Sequence, residues 1–139
     1  MFFFLSSIMG ISKFPYLPIY CGSKMAVVQF SSQCLAMDPF YEKTGIRLMS
    51  MCLGATDNSL VLNLETKAWD QKLGNKMTAA VENGYTCQTR LSAVAALLDM
   101  FNTGAPATVW LSVDNKPVKD ITSSIDRAFK DFEKILLRE

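Results

Sequence analysis

Tyr20 and Lys24 lie four residues apart in the proline-free stretch that follows Pro18. On a helix this spacing puts both side chains on one face, a turn apart. A phenol with a pKa near ~10 is a poor base at neutral pH, and a neighbouring ammonium favours the phenolate. Such a pair can take the proton of an alcohol as its carbon loses hydride, or return it in the reverse direction. Ser7 closes the apolar segment upstream, where a strand end delivers groups to a ligand. Its hydroxyl can hydrogen-bond the reacting oxygen as charge develops. The Y-x-x-x-K spacing also occurs in helices where the tyrosine sits at an interface and the lysine is solvated. The flanking strings must decide.

The elements around these residues follow from pattern. Residues 2–7 are aromatic-rich and non-alternating, which predicts a fully buried strand. Gly10 to Pro18 is a loop, and Pro18 suits the first turn of a helix that runs to about Met37. Asp38 and Pro39 stop that helix. A second strand is expected at residues 46–52, and a loop at Leu53-Gly54-Ala55-Thr56-Asp57-Asn58. Residues 59–85, with Trp69, read as short helices in a mobile flap. Thr86 to Phe101 is a helix with Leu91, Val94, Ala95 and Leu98 at helical spacing, closed by Gly104 as a C-cap. A third strand at residues 107–113 precedes an amphipathic helix at 121–137, whose stripe is Ile125, Phe129, Phe132 and Leu136. Strand and helix alternate, so the expected fold is α/β, with parallel strands joined by right-handed crossovers.

Composition removes several alternatives. Lys and Arg total 14 against 13 Asp and Glu, a formal charge of +1, which gives no reason to expect nucleic acid or an anionic membrane as partner. There is no histidine, so Ser-His-Asp and Cys-His catalysis drop out and a zinc site loses its commonest ligand. Cys21, Cys34, Cys52 and Cys87 form no C-x-x-C pair and read as reduced thiols of a cytoplasmic protein, with Cys21 and Cys52 in buried segments. Met1-Phe2-Phe3-Phe4-Leu5 has no basic flank and stops at Ser6, too short for a signal core or a span. No membrane association is expected.

Leu5-Ser6-Ser7-Ile8-Met9-Gly10, the prolines at 15 and 18, and Tyr20-Cys21-Gly22-Ser23-Lys24-Met25-Ala26-Val27 resemble the active-site segment of the short-chain dehydrogenase/reductase family. That family shows a Ser-Ser-x-x-Gly strand end, a Y-x-[AG]-S-K helix start and a gap of thirteen residues from serine to tyrosine, the gap that separates Ser7 from Tyr20. Ser6 is then structural. Gly45-Ile46-Arg47-Leu48 and Cys52-Leu53-Gly54-Ala55-Thr56-Asp57-Asn58 resemble the family's sixth strand and its P-G-x-x-x-T loop. Leu53 replaces the usual proline, and Asn58 stands where threonine is common. Within the family the strings look most like the 15-hydroxyprostaglandin dehydrogenase group and insect-type alcohol dehydrogenases.

The resemblance implies a partial Rossmann-type, doubly wound sheet, its last three strands lying within residues 1–139 as the C-terminal part of one domain. It implies NAD (or NADP) as cofactor and interconversion of a secondary alcohol and a ketone. Ser7, Tyr20 and Lys24 would be catalytic, and Tyr20, Lys24, Gly54, Thr56, Asp57 and Asn58 would bind the cofactor. Ser7 and Leu17 would meet a small-molecule alcohol or ketone substrate. The helix carrying Tyr20 would make a homodimer interface. The family's G-x-x-x-G-x-G turn, its acidic ribose-binding residue and its relay asparagine have no counterpart in this sequence. The expectation is therefore a fragment or half-domain with an apolar edge at residues 2–7, which lacks a pyrophosphate site and by itself binds NADH negligibly. A non-catalytic binding protein of the same descent is the alternative.

Overall fold

The computed structural model describes residues 1–34, 39–58, 64–67, 70–84 and 86–137, apart from the side chains of residues 33, 34, 64, 67 and 84. Three parallel strands, β1 (Phe2–Ser7), β2 (Leu48–Leu53) and β3 (Val109–Ser112), lie side by side in chain order. A two-residue strand, β4 (Lys119–Asp120), adds antiparallel to β3. The fold is thus α/β with an open, mostly parallel sheet, as the alternation predicts. The short β4 has no apolar pattern by which it could have been foreseen.

Strand β2 sits in the middle and is buried on both faces, as expected of a non-alternating apolar segment. On one face Cys52 meets Val28, Val109 and Ile121. On the other, Met49 and Met51 meet Ala96 and Met100 of α5 (Arg90–Thr103). Each fully buried side chain of this size contributes roughly 1.5–3 kcal/mol by leaving water. The expectation of a fully buried β1 is wrong. Phe2, Phe3 and Leu5 are exposed, because β1 is the sheet's edge and α5 and the helix after β1 cover it incompletely. The apolar edge expected at residues 2–7 is present and exposed.

The helix carrying Tyr20 is α1 (Pro18–Val28), with Pro18 in its first turn. It continues as a wider, π-type turn over Gln29–Cys34; its end near Met37 lies outside the described residues. A short α2 (Phe40–Thr44), not foreseen, ends at Gly45 in the left-handed region, φ 68°. Within the expected flap are α3 (Leu64–Lys67) and a longer α4 (Gln71–Gly84); residues 59–63, 68, 69 and 85 of that expectation lie outside the described set.

The face of α5 is reversed relative to its sequence reading. Leu91, Val94 and Leu98 are exposed, and Ala93, Ala96 and Met100 pack on the sheet. Ala96 and Met100 pack against Met49 and Met51, with the half-buried Leu97 beside them. Gly104 caps α5 through its N–H to the Met100 carbonyl at 2.9 Å, but its φ of −68° is ordinary. Glycine is needed there for room, since a Cβ would stand 2.5 Å from both Met100 O and Met49 Sδ. The last helix, α6 (Thr122–Leu137), packs Ile125 on the core and leaves Phe132 and Leu136 exposed. Among the described residues no helix is long and apolar enough to cross a membrane.

Candidate active site

Because β1, β2 and β3 are parallel, Ser7, Leu53 and Ser112 end in one row. The segments that follow them share the carboxyl edge of the sheet, where open α/β sheets bind ligands. Ser7 leads into a tight turn at Ile8–Gly10 and accepts the Met9 N–H at 3.2 Å. Its side chain is buried, and its own proton has no acceptor among the described residues, so it can donate to a bound oxygen.

Helix α1 is clamped to this strand end. Ser6 Oγ donates to the Lys24 carbonyl at 2.7 Å, and Lys24 Nζ donates to the Leu5 carbonyl at 3.0 Å. Gly10 makes the approach feasible, since a Cβ there would fall 2.7 Å from Lys24 C and 2.8 Å from Met25 N. The spacing of Ser6, Ser7 and Gly10 therefore has a mechanical basis: one residue anchors the helix, one caps the turn at the strand end, and one makes space. The structural role expected of Ser6 agrees with its contact.

Lys24 Nζ lies 5.5 Å from the centroid of the Tyr20 ring, within range of a cation–π contact. Tyr20 is half-buried, and its hydroxyl has no partner among the described residues. Lys24 keeps two N–H donors beyond its bond to Leu5. Leu17 is half-buried directly before α1, with its carbonyl accepting Cys21 N–H at 2.9 Å. Cys21 is half-buried and Cys87 exposed. Cys52 is fully buried; burial pushes its thiol up to about 11, with a bond to Ser6 opposing part of the shift. That thiol is a packing group.

The loop after β2 is held differently. A Cβ on Gly54 would meet Val113 Cγ1 at 2.9 Å, so the loop lies tight on the end of β3. Thr56 is buried; its hydroxyl donates to the Gly54 carbonyl at 3.1 Å and accepts Gln88 Nε2 at 3.1 Å. Asp57 is exposed and Asn58 half-buried. Gln88 was missed in the sequence because the helix was expected to begin at Thr86. In fact Thr89 is the N-cap, accepting Ser92 N–H, and residues 86–88 precede the helix. The cap signal was available: a threonine placed three residues before a serine at the start of an apolar run.

No family model matches the chain. It is 31% identical to alcohol dehydrogenase 1 of Ceratitis capitata over 100 residues, 68% of this chain and 38% of that protein. Alcohol dehydrogenase 1 of Ceratitis cosyra is 32% identical over 99 residues, with the same shares covered. Fat body protein 2 of Drosophila melanogaster is 23% identical over 124 residues, 87% of this chain and 46% of that protein. The matched region thus spans less than half the length of each relative. These similarities support the short-chain dehydrogenase/reductase resemblance broadly, through its insect alcohol dehydrogenase branch.

Proposed function

We propose that this chain carries the catalytic, carboxyl-terminal portion of a short-chain dehydrogenase/reductase that interconverts a secondary alcohol and a ketone with a nicotinamide cofactor. The observation that carries the reading is the clamped Tyr20–Lys24 pair, with an unspent phenol and an ammonium keeping two of its N–H groups beside the carboxyl edge of a parallel sheet. The residues present suit the nicotinamide and its ribose. Lys24 offers two donors, Tyr20 an open hydroxyl, and residues 54–58 a rigid loop next to them in the row of strand ends.

When bound, the cofactor supplies the hydride acceptor. Tyr20 takes the hydroxyl proton of the alcohol, so that hydride and proton leave by separate routes and a ketone results. Lys24, held 5.5 Å from the centre of the Tyr20 ring, holds ribose hydroxyls with its free N–H groups. Ser7 donates to the substrate oxygen. Leu17 contributes apolar surface for the alcohol's carbon chain. The insect alcohol dehydrogenase resemblance favours NAD. A 15-hydroxyprostaglandin-type substrate is the finer reading of the motif strings around Tyr20 and Arg47. Homodimerisation through α1 and a cytoplasmic location complete the proposal, and neither nucleic acid nor a membrane enters it.

The test is a titration of the chain with reduced nicotinamide mononucleotide, the half of the cofactor these residues face, followed by NMR at Tyr20 and Lys24. A saturable response at both, lost in Tyr20→Phe with Lys24→Met, is the expected result. A chain silent at both positions would instead be a non-catalytic relative.

A further inference from the structure

Gln88 stands between the flap region and α5, fully buried, with its backbone and side-chain polar groups engaged. Its N–H donates to the Ala55 carbonyl at 2.8 Å, and its carbonyl accepts the Asp57 N–H at 2.8 Å. This pair of bonds makes Thr56 and Gln88 an isolated parallel bridge, a strand one residue long. Its side chain then reaches both ways. Nε2 donates to Thr56 Oγ1 at 3.1 Å, and Oε1 accepts from the buried Ser112 Oγ at 2.9 Å. A single residue thereby ties residues 55, 56 and 57 to the end of β3.

We infer that Gln88 is a positioning residue for the cofactor carboxamide: it fixes the 54–58 loop so that backbone groups, rather than the Thr56 hydroxyl, face the ligand. This rests on the function proposed above. The Thr56 hydroxyl is committed twice within the fold, donating to Gly54 and accepting from Gln88. A hydroxyl has one proton, and that proton is spent internally. Thr56, expected from the resemblance to touch cofactor, is a strut. What it supports is the curve of the loop, and that curve depends on a buried amide whose loss leaves Ser112 without its acceptor and Thr56 with only its bond to Gly54.

The experiment compares the full chain with its Gln88→Met variant, which keeps side-chain bulk and removes the amide. Two probes are titrated: nicotinamide mononucleotide and nicotinic acid mononucleotide, which differ in having a carboxamide or a carboxylate. The wild type should prefer the carboxamide, and Gln88→Met should reduce that preference by about tenfold, the worth of one or two buried hydrogen bonds. NMR responses at Tyr20 and Lys24 should persist in the variant. General loosening of the fold would weaken both probes alike and leave their ratio unchanged, so an unchanged ratio overturns the inference. A wild type that binds neither probe overturns the functional reading along with it, which separates the two failures. Ser112→Ala removes one donor to Gln88 and should lower the ratio in the same direction by a smaller factor. It decides the matter if Gln88→Met does not fold, and an unchanged ratio there counts against the inference equally.

Discussion

The two sides of the candidate site are held by different kinds of contact. On the β1 side, Ser6, Gly10 and Lys24 lock α1 to the strand end across 14 to 18 residues of chain, through one short helical connection. On the β2 side, the loop at 54–58 is held by Gln88 and Ser112, 32 residues from Thr56 in one case and a further 24 in the other. The first arrangement is a compact string that sequence spacing displays. The second joins three distant segments through one amide, and no spacing rule predicts it. Chemistry and its local support can be written in one stretch of sequence, whereas the posture of a loop depends on what the sheet brings beside it.

That contrast can be broken from either side. The largest effect is expected at the reacting group: in an active form containing this segment, Tyr20→Phe should lower alcohol turnover by about 10²–10⁴-fold, with circular dichroism unchanged. Gly10→Ala should come next, because its methyl meets main-chain atoms of α1 at 2.7 Å and the helix must shift. A loss of about 1–3 kcal/mol in urea unfolding is expected, as for overpacking generally. Gln88→Met should cost about 1–3 kcal/mol for the buried polar groups it strands, and should speed hydrogen exchange at Asp57 more than in β1. Ser6→Ala, which removes the bond to the Lys24 carbonyl, should cost about 1 kcal/mol. Gly22→Ala should change sign: nothing lies within 4 Å of a Cβ there, and an exposed helical position gains about 0.5–1 kcal/mol. Two glycines of the same motif thus predict opposite outcomes, and equal outcomes would refute the clamp.

Much of the fold was legible. The alternation of strand and helix, the proline start of α1 and the Thr56 loop follow from periodicity and turn residues, and the structure places them within a few positions. What failed had physical causes. Leu91, Val94 and Leu98 mark a stripe on α5, but a period identifies a stripe without saying which side the sheet takes. The side the sheet takes carries Ala96 together with Met100, a small residue and a large one. Strand β1 and β2 share the same apolar run, yet one is central and the other is an edge, a property of neighbours and not of composition. Of the candidate site, Tyr20, Lys24 and Ser7 stand out in the sequence by residue type and spacing. Gln88 does not, because its role is made entirely of geometry.

The sheet's α5 face rests on Met49, Met51 and Met100, all fully buried. Thioethers fill that irregular space well, and each is also a place where one added oxygen atom turns an apolar group into a polar, bulkier one. While the domain stays closed, peroxide cannot reach them; once it opens, oxidation makes reclosing unfavourable. The core therefore accumulates a chemical mark of its open state. Sulfoxide appearing at Met49 or Met100 under peroxide reports the fraction of molecules in which this face of the sheet is open.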